Sequence, residues 1–147
     1  MTNVVIGAGS GMGTAVARVL APRGPLIVAD RDVEAARAVA AGLGADATPA
    51  GCDVTQPDQI EALVSRIDTL DALVVTAGIS GSMANGRRIF EVNLIGSARV
   101  CAAVDPIVRA GTVGVLFASM SGHRVPDRPD LMRILDDPLS DSFFDEL

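Results

Sequence analysis

Short apolar runs alternate along the chain with segments in which apolar residues recur three or four positions apart. The short runs predict strands of a buried sheet, because each is bounded by turn-forming residues and is shorter than a typical helix. They are NVVIG, LIVAD, ATPAGCDV, DALVVTAG and VGVLFAS. Helices are predicted between these runs, the last of them over residues 85–104, and Asp32 and Thr55 are the expected N-caps of the second and third helices.

This alternation of strands and helices predicts an α/β fold. Strands that are apolar on both faces are typical of a parallel sheet covered by helices on both sides. Right-handed connections between the strands then favour a three-layer, doubly wound Rossmann fold. We expect the strand order 3-2-1-4-5, in a sheet that is incomplete at its C-terminal end. Ligands bind such sheets at the carboxyl ends of the strands, so the residues that follow each strand are the candidates for function.

Composition limits the classes of function that fit this chain. Its 147 residues suit one domain, and 49% hydrophobic residues with only 3% aromatic residues predict an aliphatic core. The formal net charge of −6 argues against a nucleic-acid partner. No apolar run approaches the length of a membrane span, the N-terminus does not resemble a signal peptide, and two cysteines suggest neither a disulfide framework nor a metal site. We therefore expect a cytoplasmic protein without a membrane or a metal partner.

A glycine-rich loop, GAGSGMG, joins the first predicted strand to the first helix. Its spacing G-x-x-x-G-x-G falls on Gly7, Gly11 and Gly13. Gly7 would permit the tight turn out of the strand, Gly11 the approach of backbone N–H groups to a pyrophosphate, and Gly13 close packing of the helix on the sheet. The helix N-terminus also offers unpaired donors and partial positive charge to phosphates. The alternative is that these glycines only form the turn.

Acidic residues follow the second and third predicted strands. Asp30 lies 23 residues after Gly7, where an acid can accept hydrogen bonds from an adenosine ribose. Asp53 could accept a hydrogen bond from the amino group of adenine. The alternatives are that Asp30 caps the next helix, a role that Asp32 can also fill, and that Asp53 belongs to a turn at the end of its strand.

The segments GAGSGMG, ADR, CDVT, TAG, VNLIG and FASMSG, in this order and spacing, resemble the short-chain dehydrogenase/reductase family. The resemblance extends from residue 3 to about residue 122. It implies an enzyme that binds NAD(H) or NADP(H) and transfers hydride between nicotinamide and a secondary alcohol or ketone. The short interval between Gly78 and Asn93 resembles the bacterial 3α-hydroxysteroid dehydrogenase/carbonyl reductase subgroup, which implies a steroid or a similar carbonyl compound as a candidate substrate.

The resemblance also implies roles for individual residues. The residues expected to bind the cofactor are Gly7, Ser10, Gly11, Met12, Gly13, Asp30, Arg31, Asp53, Val54, Ala77 and Gly78. Asp30 matches the acid that selects NAD, so we expect NAD rather than NADP. Ser119 matches the catalytic serine, whose hydroxyl would donate to the substrate oxygen, and Asn93 matches the helix asparagine that helps to hold a proton-relay water. Thr76 stands where the family usually has asparagine.

The chain departs from the family at the proton donor, which is a tyrosine followed four residues later by a lysine. Neither residue type occurs in this sequence, and His123 is the only conventional substitute. One explanation is that the chain is the N-terminal part of a longer dehydrogenase, truncated within an acidic insertion and inactive by itself. The other is a non-catalytic dinucleotide-binding module that acts as a sensor or a scaffold.

Acidic residues are concentrated near the C-terminus, where the last 21 residues carry seven acids and two arginines. We expect a dinucleotide-binding domain over residues 1–122 and an acidic extension of helix and loop over residues 123–147. The extension would be the start of an insertion that precedes the missing tyrosine–lysine segment. The full-length form is expected to be a homo-oligomer that acts on a small-molecule alcohol or ketone.

Overall fold

A parallel sheet forms the framework of the first of two compact units, Met1–Leu116 and Phe117–Leu147. The computed structural model describes residues 1–126 and 128–147, so residue 127, which falls in the predicted extension, lies outside the described residues. The strands are β1 (Thr2–Ile6), β2 (Leu26–Asp30), β3 (Ala47–Gly51), β4 (Leu70–Val75) and β5 (Val113–Leu116). Their order is β3-β2-β1-β4-β5 with every neighbouring pair parallel, which confirms the predicted topology.

Helices cover both faces of this sheet, and the predicted three-layer fold is confirmed. The α-helices of the first unit are α1 (Gly11–Leu20), α2 (Val33–Ala41), α3 (Pro57–Val64), α4 (Gly86–Phe90) and α5 (Ser97–Val104). Successive residues of β1 face opposite layers: Val4 and Ile6 pack in one core cluster with residues of α3 and α5, and Val5 packs in another with residues of α1 and α2. The buried members of both clusters are aliphatic, with Cys52 as the exception, in agreement with the low aromatic content.

The last predicted helix of the first unit, over residues 85–104, is not α-helical throughout. A π-helical turn, Glu91–Gly96, joins α4 to α5. Asn85 caps α4, because its side-chain oxygen accepts a hydrogen bond of 3.0 Å from the N–H of Arg88. A π turn accommodates one more residue than an α turn and is frequent at functional sites.

β5 is shorter and more exposed than the sequence pattern predicts. The strand ends at Leu116, so the predicted continuation to Ser119 is wrong. The prediction that this strand is buried is also wrong, since Val113, Val115 and Leu116 are 41–56% exposed. β5 pairs with β4 along one edge and is the last strand of the sheet. An apolar run thus identified a strand here without determining its burial.

The second unit contains a 3₁₀ turn (Met120–Arg124), α6 (Pro129–Leu135) and α7 (Phe143–Glu146). Phe143 is buried, and its ring meets the ring of Phe144 edge to face at a centroid distance of 5.1 Å. An ion pair of 3.2 Å between Arg133 and Glu146 joins α6 to α7. Across the described residues, none of the helices has both the length and the apolar character that crossing a membrane requires.

The N-caps of α2 and α3 differ in how far the sequence predicts them. Asp32 caps α2 as predicted, with Oδ1 accepting hydrogen bonds of 3.1 Å from the N–H groups of Glu34 and Ala35. The N-cap of α3 is Gln56, so the prediction of Thr55 is wrong. The hydroxyl of Thr55 donates instead to the carboxylate of Asp53, in the loop before the helix.

Replacing Asp32 by alanine is expected to lower the free energy of unfolding by about 1 kcal/mol, because two N–H groups of α2 lose their acceptor. Ser10→Ala is the matched control, since Ser10 occupies the N-cap of α1 without a side-chain cap hydrogen bond. Urea unfolding followed by circular dichroism measures both variants. Equal losses of stability would contradict the capping role of Asp32.

Candidate functional site

A cavity of about 320 Å³ opens in the first unit at the carboxyl ends of β1, β2, β3 and β4. It is lined by the loops that follow these strands, by the first turn of α1, and by parts of α4 and the π turn. The lining residues are Gly7, Ser10, Gly11, Met12, Gly13, Asp30, Arg31, Cys52, Asp53, Val54, Thr76, Ala77, Gly78, Ile79, Met83, Arg88 and Val92. All of the residues predicted to bind a cofactor are among them. The parallel topology therefore brings these residues together at one edge of the sheet, as expected.

The backbone is tightly packed where the glycine loop meets the end of β4. Gly7 has a φ of +86°, and a Cβ atom at this position would lie 2.5 Å from the backbone nitrogen of Ala77. A Cβ atom on Gly13 would collide with the carbonyl oxygen of Gly7 and would lie 2.6 Å from Oγ1 of Thr76. Both positions require glycine, which agrees with a tight turn at Gly7 and close helix packing at Gly13.

Thr76 connects the end of β4 to the same loop. Its Oγ1 lies 3.1 Å from the carbonyl oxygens of both Ile6 and Gly7, and its hydroxyl can donate to either. Its backbone N–H also donates to the carbonyl of Ile6, over 2.8 Å. The side chain therefore holds the start of the glycine loop against β4.

The first turn of α1 presents hydrogen-bond donors to the cavity. Gly11, Met12 and Gly13 line it, and the N–H groups of a first helical turn have no acceptor within their own helix. Neither the side chain of Ser10 nor an acidic side chain in this turn competes for these donors. The donors and the partial positive charge of the helix end suit the phosphates of a dinucleotide.

Asp30 approaches the glycine loop from the end of β2. Its Oδ2 accepts a hydrogen bond of 2.8 Å from the N–H of Gly9, and its Oδ1 accepts one of 3.0 Å from the N–H of Asp32. A Cβ atom on Gly9 would lie 2.8 Å from Oδ2, so this approach depends on the absence of a side chain at Gly9. The N-cap of α2 is Asp32 and not Asp30. Each oxygen of Asp30 keeps a further lone pair that a ligand hydroxyl can use.

Asp53 is fixed at the end of β3 by its own loop. Its Oδ1 accepts hydrogen bonds of 2.9 Å and 2.8 Å from the backbone N–H and the hydroxyl of Thr55. Burial tends to raise the pKa of Asp53, but the hydrogen bonds from Thr55 and the positive charges of Arg88 and Arg31 together lower that pKa below its ordinary value. Asp53 is therefore a carboxylate at neutral pH, with Oδ2 as its less engaged acceptor.

Cys52 forms part of the wall beside this carboxylate. Burial, with a smaller effect from the negative charges of Asp53 and Asp30, raises the pKa of the Cys52 thiol to about 11. The thiol stays protonated at neutral pH, which makes it unsuitable as a nucleophile or as a metal ligand.

The two residues predicted to act in catalysis lie in different units. Asn93 belongs to the π turn, where its Oδ1 accepts from the N–H of Ile79 and its Nδ2 donates to the carbonyl of Ile79, both over 2.8 Å. This pair of bonds fixes the loop that follows β4. Ser119 belongs to the second unit, where its Oγ caps the 3₁₀ turn by accepting a 3.1 Å hydrogen bond from the N–H of Ser121. Their roles in proton relay and substrate binding stay predictions.

Several lining residues were not predicted as site residues. They are Cys52, Thr76, Ile79, Met83, Arg88 and Val92. Cys52, Thr76 and Ile79 are neighbours of motif residues, and that adjacency was a usable signal. Arg88 carried no such signal, because it reaches the cavity from α4, far along the chain from the loop that it contacts.

Comparison with known proteins gives consistent matches over most of the chain. Residues 2–126 match the family model described as short chain dehydrogenase. The chain is 39% identical over 110 residues to a cis-4-hydroxycyclohexanecarboxylate dehydrogenase of Sinomonas cyclohexanicum, an alignment that covers 65% of this chain and 44% of that protein. It is 30% identical over 132 residues to the 7alpha-hydroxysteroid dehydrogenase of Escherichia coli strain K12, with 80% of this chain and 52% of that protein covered.

A solved structure shows a similar fold. The crystal structure of a short-chain dehydrogenase/reductase, glucose/ribitol dehydrogenase, from Brucella melitensis matches with a TM-score of 0.77 and 28% identity, and the match covers 86% of this chain and 60% of that one. The chain spans about half the length of the curated relatives that it matches.

Gly13→Ala is expected to lower the free energy of unfolding by about 3 kcal/mol, because the new Cβ atom would press on backbone that cannot move independently of β1. Gly11→Ala is the comparison variant: Gly11 has a φ of +51° but no neighbouring atom within 4 Å of an added Cβ, so the loss should be about 1 kcal/mol. Urea unfolding of both variants measures the difference. A Gly13 variant as stable as the Gly11 variant would contradict the tight packing described here.

Proposed function

Because this chain belongs to the short-chain dehydrogenase family, we propose that it binds NAD in the cavity of the first unit and forms the cofactor-binding part of an oxidoreductase. The observation that carries the proposal is the convergence of all the predicted cofactor-binding residues on that one cavity. The proposed reaction is hydride transfer between nicotinamide and a secondary alcohol or ketone, with steroids and similar carbonyl compounds as candidate substrates.

The residues that line the cavity fit a dinucleotide. The glycine loop leaves space beside the N–H groups of α1, where a pyrophosphate is bound. The free lone pairs of Asp30 accept hydrogen bonds from the hydroxyls of the adenosine ribose. Oδ2 of Asp53 accepts from the amino group of adenine. When bound, the nicotinamide supplies or receives the hydride.

Asp30 discriminates in this proposal between NAD and NADP. A 2′-phosphate would bring roughly −1.5 to −2 charges close to the carboxylate. At about 4 Å and an effective dielectric constant of about 20, each pair of unit charges costs about 4 kcal/mol. Arg31, which lines the same cavity, and dissolved salt reduce this cost, so the net preference for NAD is about 1–3 kcal/mol, or roughly 10- to 100-fold.

Reduction of a ketone also requires a proton at the substrate oxygen. The hydroxyl of Ser119 donates a hydrogen bond to that oxygen and stabilises the negative charge that develops there, while Asn93 helps to hold a relay water. The usual tyrosine and lysine are absent from the 147 residues. In this proposal, residues 1–122 are the dinucleotide-binding domain, residues 123–147 begin an insertion, and the proton donor lies in a segment that follows the insertion.

A second candidate function is a dinucleotide-binding module without catalysis, which acts as a sensor or a scaffold. The absence of tyrosine and lysine from the sequence favours it. Both candidates use the same cavity and the same cofactor, and they differ in whether substrate is turned over.

The wild-type chain is expected to bind NAD about 10- to 100-fold more tightly than NADP, and Asp30→Asn is expected to reduce this preference to about threefold, because the carboxamide keeps an acceptor oxygen but carries no charge. Asp46→Asn is the control, since it makes the same change of charge at an exposed residue outside the cavity lining. Isothermal titration calorimetry with both cofactors gives the affinities. Equal or tighter binding of NADP by the wild-type chain would rule out the assigned role of Asp30.

The purified 147-residue chain is expected to show no measurable dehydrogenase turnover. A missing general acid alone typically lowers the rate by about 10²- to 10⁴-fold. The measurement is the change in NADH absorbance with a panel of secondary alcohols and ketones, and Ser119→Ala is the control for contaminating enzymes. Turnover that is present in the wild-type chain and lost in the Ser119 variant would overturn this expectation.

A further inference from the structure

The cavity contains an ion pair between an acid and an arginine. The proposed binding of NAD uses the acid and gives the arginine no role. Asp53 and Arg88 both line the cavity, and Nη2 of Arg88 lies 3.8 Å from Oδ2 of Asp53. This distance is too long for a hydrogen bond. The carboxylate and the guanidinium therefore attract each other without satisfying each other's hydrogen-bonding capacity.

Both side chains are held in place through their other polar atoms. Oδ1 of Asp53 receives two hydrogen bonds from Thr55. Nη1 of Arg88 donates to Oε2 of Glu91 over 3.1 Å and to the hydroxyl of Thr55 over 3.4 Å. Within the described part of the chain, Oδ2 of Asp53 accepts no hydrogen bond. An acceptor and a cationic donor thus lie next to each other at a fixed spacing.

Both side chains are partly exposed at the cavity. The side chain of Asp53 is 25% exposed and that of Arg88 is 38% exposed, so a ligand can reach both without a rearrangement of the core. The backbone of the Asp53 loop is also fixed from α5, because Nη1 of Arg99 donates to the carbonyl of Thr55 over 3.1 Å. The acceptor and the donor are therefore held in fixed positions before a ligand binds, so both are presented to whichever base enters.

Purine bases differ in the hydrogen-bonding character of position 6. Adenine carries an amino donor there, and hypoxanthine and guanine carry a carbonyl acceptor beside the N7 acceptor. A carboxylate suits the first pattern. An arginine guanidinium suits the second and is the side chain most often found to recognise it.

We propose that the Asp53–Arg88 pair recognises two classes of base, adenine through Oδ2 of Asp53 and 6-oxopurines through Nη2 of Arg88, so that the cavity binds hypoxanthine dinucleotides as well as NAD. This inference rests on the proposed function, because it takes the base of a dinucleotide to lie beside Asp53. Arg88 offsets the repulsion that the carboxylate alone would exert on a 6-oxo group. Without Arg88, that repulsion would exclude the 6-oxopurine and leave adenine little affected.

The test is calorimetric titration of the 147-residue chain with NAD and with nicotinamide hypoxanthine dinucleotide. The wild-type chain is expected to bind the two ligands with affinities within about tenfold of each other. Arg88→Met is expected to weaken binding of the hypoxanthine ligand by at least about tenfold more than it weakens binding of NAD, because both ligands carry the same phosphates and only the hypoxanthine ligand loses its donor at position 6. Asp53→Ala is expected to do the reverse and to weaken the binding of NAD selectively.

Arg87→Met is the matched control. Arg87 precedes Arg88 on α4 and pairs with the same carboxylate, with Nε 3.4 Å from Oε1 of Glu91, but it is not among the lining residues. The variant removes the same charge and should leave both affinities unchanged. Thermal unfolding checks that each variant is folded, and Arg88→Leu, which also has no hydrogen-bond donor, replaces Arg88→Met if the methionine variant is not.

The outcomes separate this inference from the proposed function. If the wild-type chain binds NAD but not the hypoxanthine ligand, the inference fails and the proposed function stands. Equal losses for both ligands in the Arg88 variant would mean that Arg88 only supports the structure, which also overturns the inference. If the wild-type chain binds neither ligand, the proposed function fails, and the inference fails with it.

Discussion

The close contact between the glycine loop and the end of β4 is the constraint on which the rest of the site depends. There is no space for a side chain at Gly13 between α1 and the carbonyl of Gly7, or at Gly7 beside Ala77. Thr76 fastens this contact with a hydroxyl that reaches two carbonyl groups of the neighbouring strand and loop. Because α1 starts so close to the sheet, its first N–H groups line the cavity, and Gly9 comes within hydrogen-bond distance of the carboxylate at the end of β2.

Charge around the cavity is balanced, although the chain as a whole is acidic. The net charge of −6 would by itself repel an anionic dinucleotide. Around the cavity, however, the carboxylates of Asp30 and Asp53 are accompanied by the guanidinium groups of Arg31 and Arg88. The helix end supplies further positive potential at the place expected for the phosphates. The acids are therefore available for neutral polar groups of a ligand, the hydroxyls and the amino group, without making the whole site repulsive.

Local patterns in the sequence were sufficient for much of the fold, and they failed where a pattern did not specify what a residue would contact in the folded chain. The alternating runs and the rule of right-handed connections led to the observed strand order. The apolar run of β5 was mistaken for a buried strand, because the run reports the pairing tendency of the residues and not whether another element covers them. The prediction that Thr55 caps a helix is wrong because its hydroxyl donates to the carboxylate of Asp53, two residues earlier.

The sequence by itself determined the sheet topology and the placement of Gly7, Gly13, Asp30 and Asp53 at one edge of the sheet. The topology follows from the alternation of strands and helices with right-handed connections, and each of these residues lies at the end of a strand or in the loop or helix start that follows it, so both can be read along the chain. Only the tertiary structure decided that Arg88 stands beside Asp53. That contact joins segments distant in the sequence, and it exists because α4 and the π turn pack next to the loop that follows β3, which no local pattern of residues encodes.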